Sequence, residues 1–419
     1  MIEDIITKIA RRQFAGAVNF REGERPVVEA ARSVGDRLLY VHVPFCEILC
    51  SYCSFNRVVF EENLCRRYFR ALREEMTLYR RMGYDFQGLY VGGGTPTVLV
   101  DELEETLGLA RGLFAIREIS VETNPNHLTD DRLDRLARAG VNRLSVGVQS
   151  FDDGLLQAMG RYAKYGSGTW IADRLKRTQG VFDTLNVDMI FNFPGQSESS
   201  LRRDIDIVAE HGFDQVTWYP LMVSDSTRRT VTQTLGEVDF HREKVFYEII
   251  RDRLLRDYSF SSAWCFSRRQ SMIDEYIVDY PEYAGLGSGS IGYLQGRCYA
   301  NTFDIEEYIR YIDKGELPLM ASRTFGTGDL VFYDFMMGLF GGSLNPALIS
   351  KRYGLKGLLF LWAAVVPFAA AGGVRFGGGR ILSTRRGRYY WVVLMREFFT
   401  AVNNFRDYCK NRGEGFARG

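Results

Sequence analysis

Short apolar runs alternate with amphipathic stretches between residue 38 and about residue 220. The runs predict buried strands, and apolar positions three to four apart predict helices. The predicted strands are Leu38–Val43, Gly88–Val91, Ile119–Val121, Arg143–Gly147, Asn186–Phe191 and Gln215–Tyr219. The predicted helices between them are Asn63–Met82, Val100–Phe114, Thr129–Ala139, Leu155–Ala158, Gly166–Gly180 and Ser199–His211. Repeated βα units with right-handed crossovers predict an α/β fold whose sheet curls into a barrel or a partial (β/α)6 TIM-like barrel.

The two ends of the chain differ from this pattern and suggest three regions. Residues 1–36 predict an N-terminal helical lead-in, and residues 37–300 hold the barrel. Residues 301–419 predict a small C-terminal α+β, winged-helix-like domain, with a hairpin at Val374–Leu382 and a last helix at Tyr389–Tyr408. In this fold the active-site residues are expected at the carboxyl ends of the barrel strands.

Composition and charge narrow the function. The chain has 419 residues, 46% of them hydrophobic, and a net charge of +1, so it can form a full core but offers no basic footprint for nucleic acid. A small-molecule substrate is the expectation. Seven cysteines do not make a disulfide framework in a chain of this size, and the acidic start Met1–Asp4 is unlike a secretory signal, so we expect the reducing cytoplasm.

The segment Gly357–Val374 contains no charged residue and has two interpretations. A buried helix of the C-terminal domain, followed by a turn, is the favoured one. The alternative is an interfacial helix that contacts a membrane or a lipid-soluble substrate.

Cys46, Cys50 and Cys53 follow the first predicted strand in the stretch LLYVHVPFCEILCSYCSFN. They supply three thiolates, whereas a structural zinc site needs four protein ligands. Cys65 is the nearest further thiol, but it occupies an ordinary position in a charged helix. A cubane iron–sulfur cluster held by three thiolates keeps one iron open for another ligand, and this pattern favours such a cluster.

Polar residues also follow the other predicted strands. A glycine run, Gly92-Gly93-Gly94-Thr95, follows the second strand and Glu122 ends the third. Gln149 and Arg161 follow the fourth strand, and Asp188 lies on the fifth. Each alone could be a turn, cap or ion-pair residue, but together they predict a cofactor lying across the barrel mouth.

The motifs YVHVPFCEILCSYCSFN, VGGGTPT, VETNP, RLSVGVQSF, MGR and VDMIFNFPGQ occur in this order. In this the chain resembles the oxygen-independent coproporphyrinogen III oxidase-like (HemN-like) branch of the radical S-adenosylmethionine (SAM) superfamily. The resemblance implies a radical SAM barrel, with a [4Fe-4S] cluster on Cys46, Cys50 and Cys53 and SAM on the open iron. It also implies SAM contacts from Tyr40, Tyr52, Gly93, Gly94, Thr95, Glu122, Gln149, Arg161 and Asp188.

The resemblance does not fix the reaction, because the branch includes porphyrinogen decarboxylation, haem delivery, anaerobic haem ring opening and methylation of aromatic rings. The apolar C-terminal domain favours a C-methyltransferase acting on a ring such as menaquinone at C8, while a coproporphyrinogen III oxidase, a haem chaperone and a haem-degrading enzyme remain alternatives. The stretch after Arg161 lacks the His common in haem-chaperone relatives. The expected partners are a small-molecule or lipid-soluble ring substrate and an electron donor such as flavodoxin or ferredoxin, with peripheral membrane contact as an option.

Overall fold

The computed structural model describes residues 26–33, 35–269 and 280–416, together with residue 7. Apart from residue 7, the helical part of the lead-in predicted from the sequence lies outside these ranges, so that helix stays a prediction.

Strands and helices alternate through the described ranges. The strands are β1 (Arg37–Val43), β2 (Phe45–Cys46), β3 (Val58–Val59), β4 (Gly88–Gly93), β5 (Glu118–Thr123), β6 (Arg143–Gln149), β7 (Thr184–Phe191), β8 (Gln215–Pro220), β9 (Ser259–Phe260), β10 (Cys265–Ser267), β11 (Glu282–Leu286), β12 (Ile291–Leu294), β13 (Arg297–Asn301), β14 (Leu319–Thr324), β15 (Ser343–Leu344), β16 (Val374–Gly377) and β17 (Arg380–Ser383). The helices are α1 (Glu62–Arg81), α2 (Val100–Leu113), α3 (Asp130–Arg138), α4 (Asp153–Ala158), α5 (Tyr162–Tyr165), α6 (Gly168–Thr178), α7 (Glu198–His211), α8 (Asp225–Leu235), α9 (Phe240–Leu254), α10 (Ile305–Asp313), α11 (Thr327–Phe340), α12 (Pro346–Ala370) and α13 (Arg385–Phe416).

The six strands predicted from the sequence form the parallel centre of one large sheet. Its order is β14-β13-β12-β11-β1-β4-β5-β6-β7-β8-β10-β9 over the described residues. Neighbouring strands from β1 to β8 pair in parallel, for example Val43 opposite Gly93 and Phe191 opposite Pro220. Helices connect these strands, so the predicted partial barrel is confirmed, and the carboxyl ends of its strands meet along one edge.

One further parallel strand was not predicted. β11 pairs with β1 and ends at Leu286, and β12 begins at Ile291, so both lie beyond the six predicted strands. Glycine is needed here for close packing, because a Cβ atom on Gly285 would lie 2.3 Å from the carbonyl oxygen of Ile291. Strands β13 and β14 continue the same sheet across residue 301, and the division into regions at residue 300 stays a prediction.

The C-terminal part contains α11, α12 and α13 with a small sheet ordered β15-β17-β16. The predicted hairpin and last helix are both present. Trp391 lies in the core and its indole nitrogen donates to the carbonyl oxygen of Met336 at 3.0 Å. The last helix therefore packs against α11 and closes this part of the chain.

The prediction of a buried helix at 357–374 is wrong for one face of that helix. By length and composition, and with a mean hydropathy of 1.5, α12 could cross a membrane, yet only 17% of its most apolar window is buried. Leu361 and Val365 pack inward, whereas Leu359 and Val366 are exposed. The sequence suggested burial because the helix is apolar on all sides, and only one side meets the protein.

Candidate active site

The cysteine loop runs between two short paired strands at the carboxyl end of β1. The amide of Val58 donates to the carbonyl oxygen of Pro44 at 2.7 Å, and the amide of Phe60 donates to that of Cys46 at 2.9 Å. Proline at position 44 ends β1 because it has no backbone donor. The three cysteines are thus held on a closed loop above the barrel mouth.

The three thiols lie on the same loop, but they are not arranged around a single metal ion. Cys46 is buried, while Cys50 and Cys53 are partly exposed. Burial, followed by repulsion from Cys53, raises the pKa of the Cys46 thiol to about 12. Within the described ranges, no three His, Cys, Asp or Glu side chains are arranged around one metal ion. In a cubane each thiolate binds a different iron, so a cluster does not need the three sulfurs to meet around one ion.

A chain of hydrogen bonds connects Cys46 to Cys50 through three polar side chains. The Thr95 hydroxyl donates to Sγ of Cys46 at 3.9 Å and accepts from Nδ2 of Asn124 at 2.8 Å. Arg161 donates through Nη2 to Oδ1 of Asn124 at 3.1 Å and through Nη1 to Sγ of Cys50 at 3.6 Å. Donors directed at sulfur favour thiolates, which are the form that binds iron.

A second set of contacts fixes the loop from its other side. Glu47 accepts from Nδ2 of Asn126 at 2.8 Å and contacts Nε2 of His127 at 3.1 Å. Lys164 forms an ion pair with the same carboxylate at 2.8 Å. The His127 hydrogen bond is the largest influence holding the pKa of Glu47 well below its usual range. The loop is thereby tied to the turn after β5 and to α5.

The glycine run packs closely against other atoms of the protein. The amides of Gly94 and Thr95 donate to the carbonyl oxygens of Val43 and Phe45, each at 2.8 Å, and the amide of Gly93 donates to Glu122 at 3.0 Å. A Cβ atom on Gly94 would lie 2.6 Å from the carbonyl oxygen of Phe45 and 2.9 Å from Sγ of Cys46. These three amides are already bonded within the protein, so the run offers a ligand its carbonyls and Cα atoms.

Two buried carboxylates, on the strands that flank β6, interact electrostatically. Glu122 accepts from the Tyr90 hydroxyl at 2.8 Å, and Asp188 accepts from the Ser145 hydroxyl at 2.6 Å. Burial, followed by the charge of Asp188, raises the pKa of Glu122 to about 7. Burial also raises the pKa of Asp188. Both side chains keep acceptor capacity for a ligand.

Gln149 and Arg161 both lie close to Gly147 near the end of β6. The β6–β7 register shifts between Gly147 and Gln149, and Gln149 has a φ of 76°. A non-glycine residue in this region is strained, and such residues concentrate at functional sites. Arg161 donates to the carbonyl oxygen of Gly147 and lies over the Tyr165 ring at 4.2 Å.

The remaining predicted residues complete the rim. The Tyr40 hydroxyl contacts Nδ1 of His42 at 2.9 Å, and Tyr52 packs edge-to-face on Phe193 with ring centroids 5.5 Å apart. The predicted residues thus lie inside barrel strands, as Tyr40 and Asp188 do, or in the segments that follow the carboxyl ends of those strands.

Sequence reasoning missed several residues of this region. Arg143 is buried and donates to Gln215 and Ser120, each at 2.9 Å. Asn192 follows β7 with a φ of 62°, and among the described residues neither polar atom of its buried amide has a hydrogen-bond partner. The polar residues following β7 were the available signal for Asn192, but nothing in the sequence connected the distant Arg406 with the cysteine loop.

Arg406, near the end of α13, lies beside the cysteine loop. Its guanidinium carbon is 5.6 Å from the centre of the Phe55 ring, and the group interacts electrostatically with Cys53 and Arg57. Nη2 donates to Oδ1 of Asn403 at 2.8 Å, while Nε and Nη1 have no hydrogen-bond partner in the described part of the chain.

A parallel βα barrel that carries three cysteines on the loop after its first strand defines a radical SAM protein. The family model described as the Radical SAM superfamily matches residues 40–208. The chain belongs to the HemN-like branch of that superfamily. This placement rests on the motifs, the fold and the relatives that follow.

The heme chaperone HemW of Lactococcus lactis is 30% identical over 281 residues, which cover 65% of this chain and 73% of the relative. An oxygen-independent coproporphyrinogen III oxidase of Cereibacter sphaeroides is 29% identical, covering 73% and 72%. The solved coproporphyrinogen III oxidase (HemN) of Escherichia coli has a TM-score of 0.72 at 23% identity, over 92% of this chain and 93% of that one. This last likeness concerns the fold.

As a radical SAM enzyme, the chain uses a [4Fe-4S] cluster and SAM. The donor set fits them, because three thiols, hydrogen-bond donors to sulfur and two carboxylates line one barrel edge. The cofactors predicted from the sequence are therefore confirmed at the level of the family.

Proposed function

We propose that this chain carries out radical SAM chemistry on a tetrapyrrole that bears carboxylate side chains. Cys46, Cys50 and Cys53 hold the cluster in this proposal. SAM lies along the strand ends and contacts Tyr40, Tyr52, Gly93, Gly94, Thr95, Glu122, Gln149, Arg161 and Asp188. The methyl transfer to menaquinone that we favoured from the sequence becomes the alternative, since the relatives described above are named for haem and coproporphyrinogen.

The chemistry that a reduced cluster and SAM supply is cleavage of the sulfonium to methionine and a 5′-deoxyadenosyl radical. The protein's own residues position the reactants and exclude water. Glu122 and Asp188 offer acceptors for hydroxyl and ammonium groups, and Arg161 offers a cation for a carboxylate. Tyr52 and Phe193 form an apolar wall next to the cysteine loop.

The observation that carries the substrate class is the buried guanidinium of Arg406. The side chain is only 5% exposed, and burial lowers its pKa to about 10, so it remains charged at neutral pH. Nη1 of Arg57 is likewise buried without a hydrogen-bond partner among the described residues, and the two guanidiniums repel each other. Cys53 and Asp407 interact electrostatically with Arg406, but its Nε and Nη1 still lack a hydrogen-bond acceptor among the described residues. A propionate of a porphyrinogen or haem supplies such an acceptor, whereas a neutral quinone supplies no anion.

The reaction class is tested with anaerobically reconstituted protein, SAM and a reductant, offered coproporphyrinogen III, haem and a menaquinone in parallel. Loss of carbon dioxide from the porphyrinogen, an opened haem ring, or stoichiometric haem binding supports a carboxylate-bearing tetrapyrrole. Consumption of SAM separates the enzymatic outcomes from a haem chaperone. A methylated menaquinone with unchanged tetrapyrroles would overturn the proposal.

The role of Arg406 is tested with Arg406→Gln and with a matched surface variant on the same helix, Arg386→Gln. Removing one buried charge-assisted contact of about 1.5–3 kcal/mol should weaken coproporphyrin III binding roughly 10- to 100-fold. Binding of its tetramethyl ester, which has no carboxylate, should be the same in both variants. If Arg406→Gln instead loses iron or SAM binding, the guanidinium serves the cofactors and the substrate assignment fails.

We infer that the electron comes from a small carrier such as flavodoxin or ferredoxin, and that the chain works in the reducing cytoplasm. Reduction of the cluster by either carrier, followed by absorbance, tests the first inference.

A further inference from the structure

The exposed side of α12 is a continuous apolar stripe. Its members Leu355, Leu359, Trp362 and Val366 are 74%, 66%, 40% and 60% exposed. Their spacing of four, three and four residues places them on one face of the helix. Large exposed apolar patches on a folded chain mark sites of interaction.

The hairpin that follows α12 extends this stripe. Phe376 on β16 is 57% exposed, and its ring lies 5.8 Å from that of Trp362. We call Leu355, Leu359, Trp362, Val366 and Phe376 the apolar face.

The stretch of chain that carries the apolar face is basic and contains no acid, and Asp334 of α11 is paired with Arg352 and Tyr353 of α12. The sequence contains no Asp or Glu between Asp334 and Glu397. Lys351 and Lys356 are exposed on α12, and Arg375 and Arg380 are exposed on the hairpin. The whole chain carries a net charge of only +1, so the absence of acids here is a local feature. An apolar centre with a cationic rim complements an anionic phospholipid surface.

The geometry indicates a helix that lies on a bilayer and does not cross it. Gly354 interrupts α12 with a φ of 64°, and from Leu355 to Ala370 the helix is roughly 24 Å long, shorter than a hydrocarbon core of roughly 30 Å. The opposite side of the helix packs against protein, with Phe368 4.9 Å from Trp391 between ring centres. One side of α12 therefore packs in the protein core, and the other side is exposed and can contact a membrane.

We propose that the apolar face docks this chain on the surface of a bilayer that contains anionic phospholipids. The α13 helix that follows the hairpin carries Arg406 to the cysteine loop, so docking would hold the barrel close to the membrane. This inference does not depend on the substrate proposed above.

The test uses the full holoprotein and flotation with vesicles of phosphatidylcholine alone or mixed with phosphatidylglycerol. The protein should float with the mixed vesicles, and its binding should weaken as salt rises. Leu359→Glu with Val366→Glu should reduce binding at least about tenfold, whereas Val245→Glu on the exposed side of α9 should not. Lys351→Glu with Lys356→Glu should weaken binding to mixed vesicles, whereas Lys176→Glu on α6 should not.

Iron content and basal SAM cleavage should be unchanged in all these variants, because none of the residues lies near the cysteine loop. Failure to bind either vesicle would overturn the proposal, as would binding that the Leu359 and Val366 changes leave intact. If sedimentation shows instead a dimer that these two changes dissociate, the apolar face joins two copies of the chain and not a membrane.

Discussion

Arg161 donates a hydrogen bond to the side-chain oxygen of Asn124 at 3.1 Å, and this contact joins the surroundings of two cysteines. Asn124 reaches Cys46 through Thr95, and Arg161 reaches Cys50 directly. The buried side-chain amide of Asn124 therefore links the hydrogen bonds made to Cys46 and to Cys50.

Asn124→Leu keeps the size of the side chain but removes both of its hydrogen bonds. Thr95 and Arg161 then lose a buried partner, which costs about 1–3 kcal/mol each. We expect weaker SAM binding and faster loss of the cluster in air, measured by calorimetry and by the decay of visible absorbance. Asn63→Leu on exposed α1 is the control, and identical cluster lifetimes in the two variants would contradict the coupling.

Arg57 supports the same loop through its backbone. Its Nη2 donates to the carbonyl oxygens of Cys50 at 2.6 Å and Cys53 at 2.7 Å, and Nε adds a contact to the latter at 3.3 Å. Arg57→Lys keeps the charge but cannot reproduce this planar geometry. We expect a lower iron and sulfide content per chain after reconstitution, whereas Arg66→Lys on α1 should retain the full content. If the Arg57→Lys protein contains a full complement of iron and sulfide, the guanidinium of Arg57 is not needed to hold the cysteine loop.

The cysteines themselves provide a matched pair. Cys50→Ala should abolish the visible absorbance of the cluster and all SAM cleavage while leaving the far-ultraviolet circular dichroism of the barrel intact. Cys65→Ala, a buried position on α1, should keep the cluster and lose only some stability. Retention of activity in the Cys50 variant would refute the assignment of the cluster ligands.

Substitutions at two glycines distinguish a position that has no room for a side chain from one that has room. Gly94→Ala places a Cβ atom 2.6 Å from the Phe45 carbonyl oxygen and 2.9 Å from the Cys46 sulfur, so we expect cluster assembly to fail. Gly108→Ala on α2 meets nothing within 4 Å and should raise stability by up to about 1 kcal/mol. Iron analysis and thermal unfolding check both, and normal cluster content in the first variant would show that the loop can shift.

Stability should depend on pH through Glu75, which is buried beneath β11. It accepts from the Tyr308 hydroxyl at 2.6 Å and from the Gly287 amide at 2.8 Å, and burial raises its pKa from 4.5 to about 7. The native state then binds the proton more tightly than the unfolded state between these values. The contribution of Glu75 to the free energy of unfolding therefore falls as pH rises from about 4.5 to 7, by roughly 3 kcal/mol.

Urea unfolding of the wild type and Glu75→Gln at pH 5 and pH 8 tests this. Relative to Glu75→Gln, the wild type should have a lower free energy of unfolding at pH 8 than at pH 5. A difference that is the same at both pH values would mean that Glu75 does not titrate in this range.

The local pattern of apolar and polar residues determined the strands and helices of the barrel. Apolar runs such as Leu38–Val43 and the helical spacing between them follow from residues close in sequence, so the barrel strands and helices were predicted within a few positions. The spacing of Cys46, Cys50 and Cys53 likewise indicated a cluster. The residues at strand ends indicated a cofactor beside it, because parallel strands must end on one edge, and the family resemblance implied that this cofactor is SAM.

Tertiary structure alone decided three other features. Gly285 lies in a strand because β1 offers it a partner, although its sequence resembles a loop. Arg406 meets a loop about 350 residues earlier, and α12 leaves an apolar side uncovered. Periodicity reports which side of an element is apolar, whereas only the packing of distant elements decides whether that side is covered and which side chains converge.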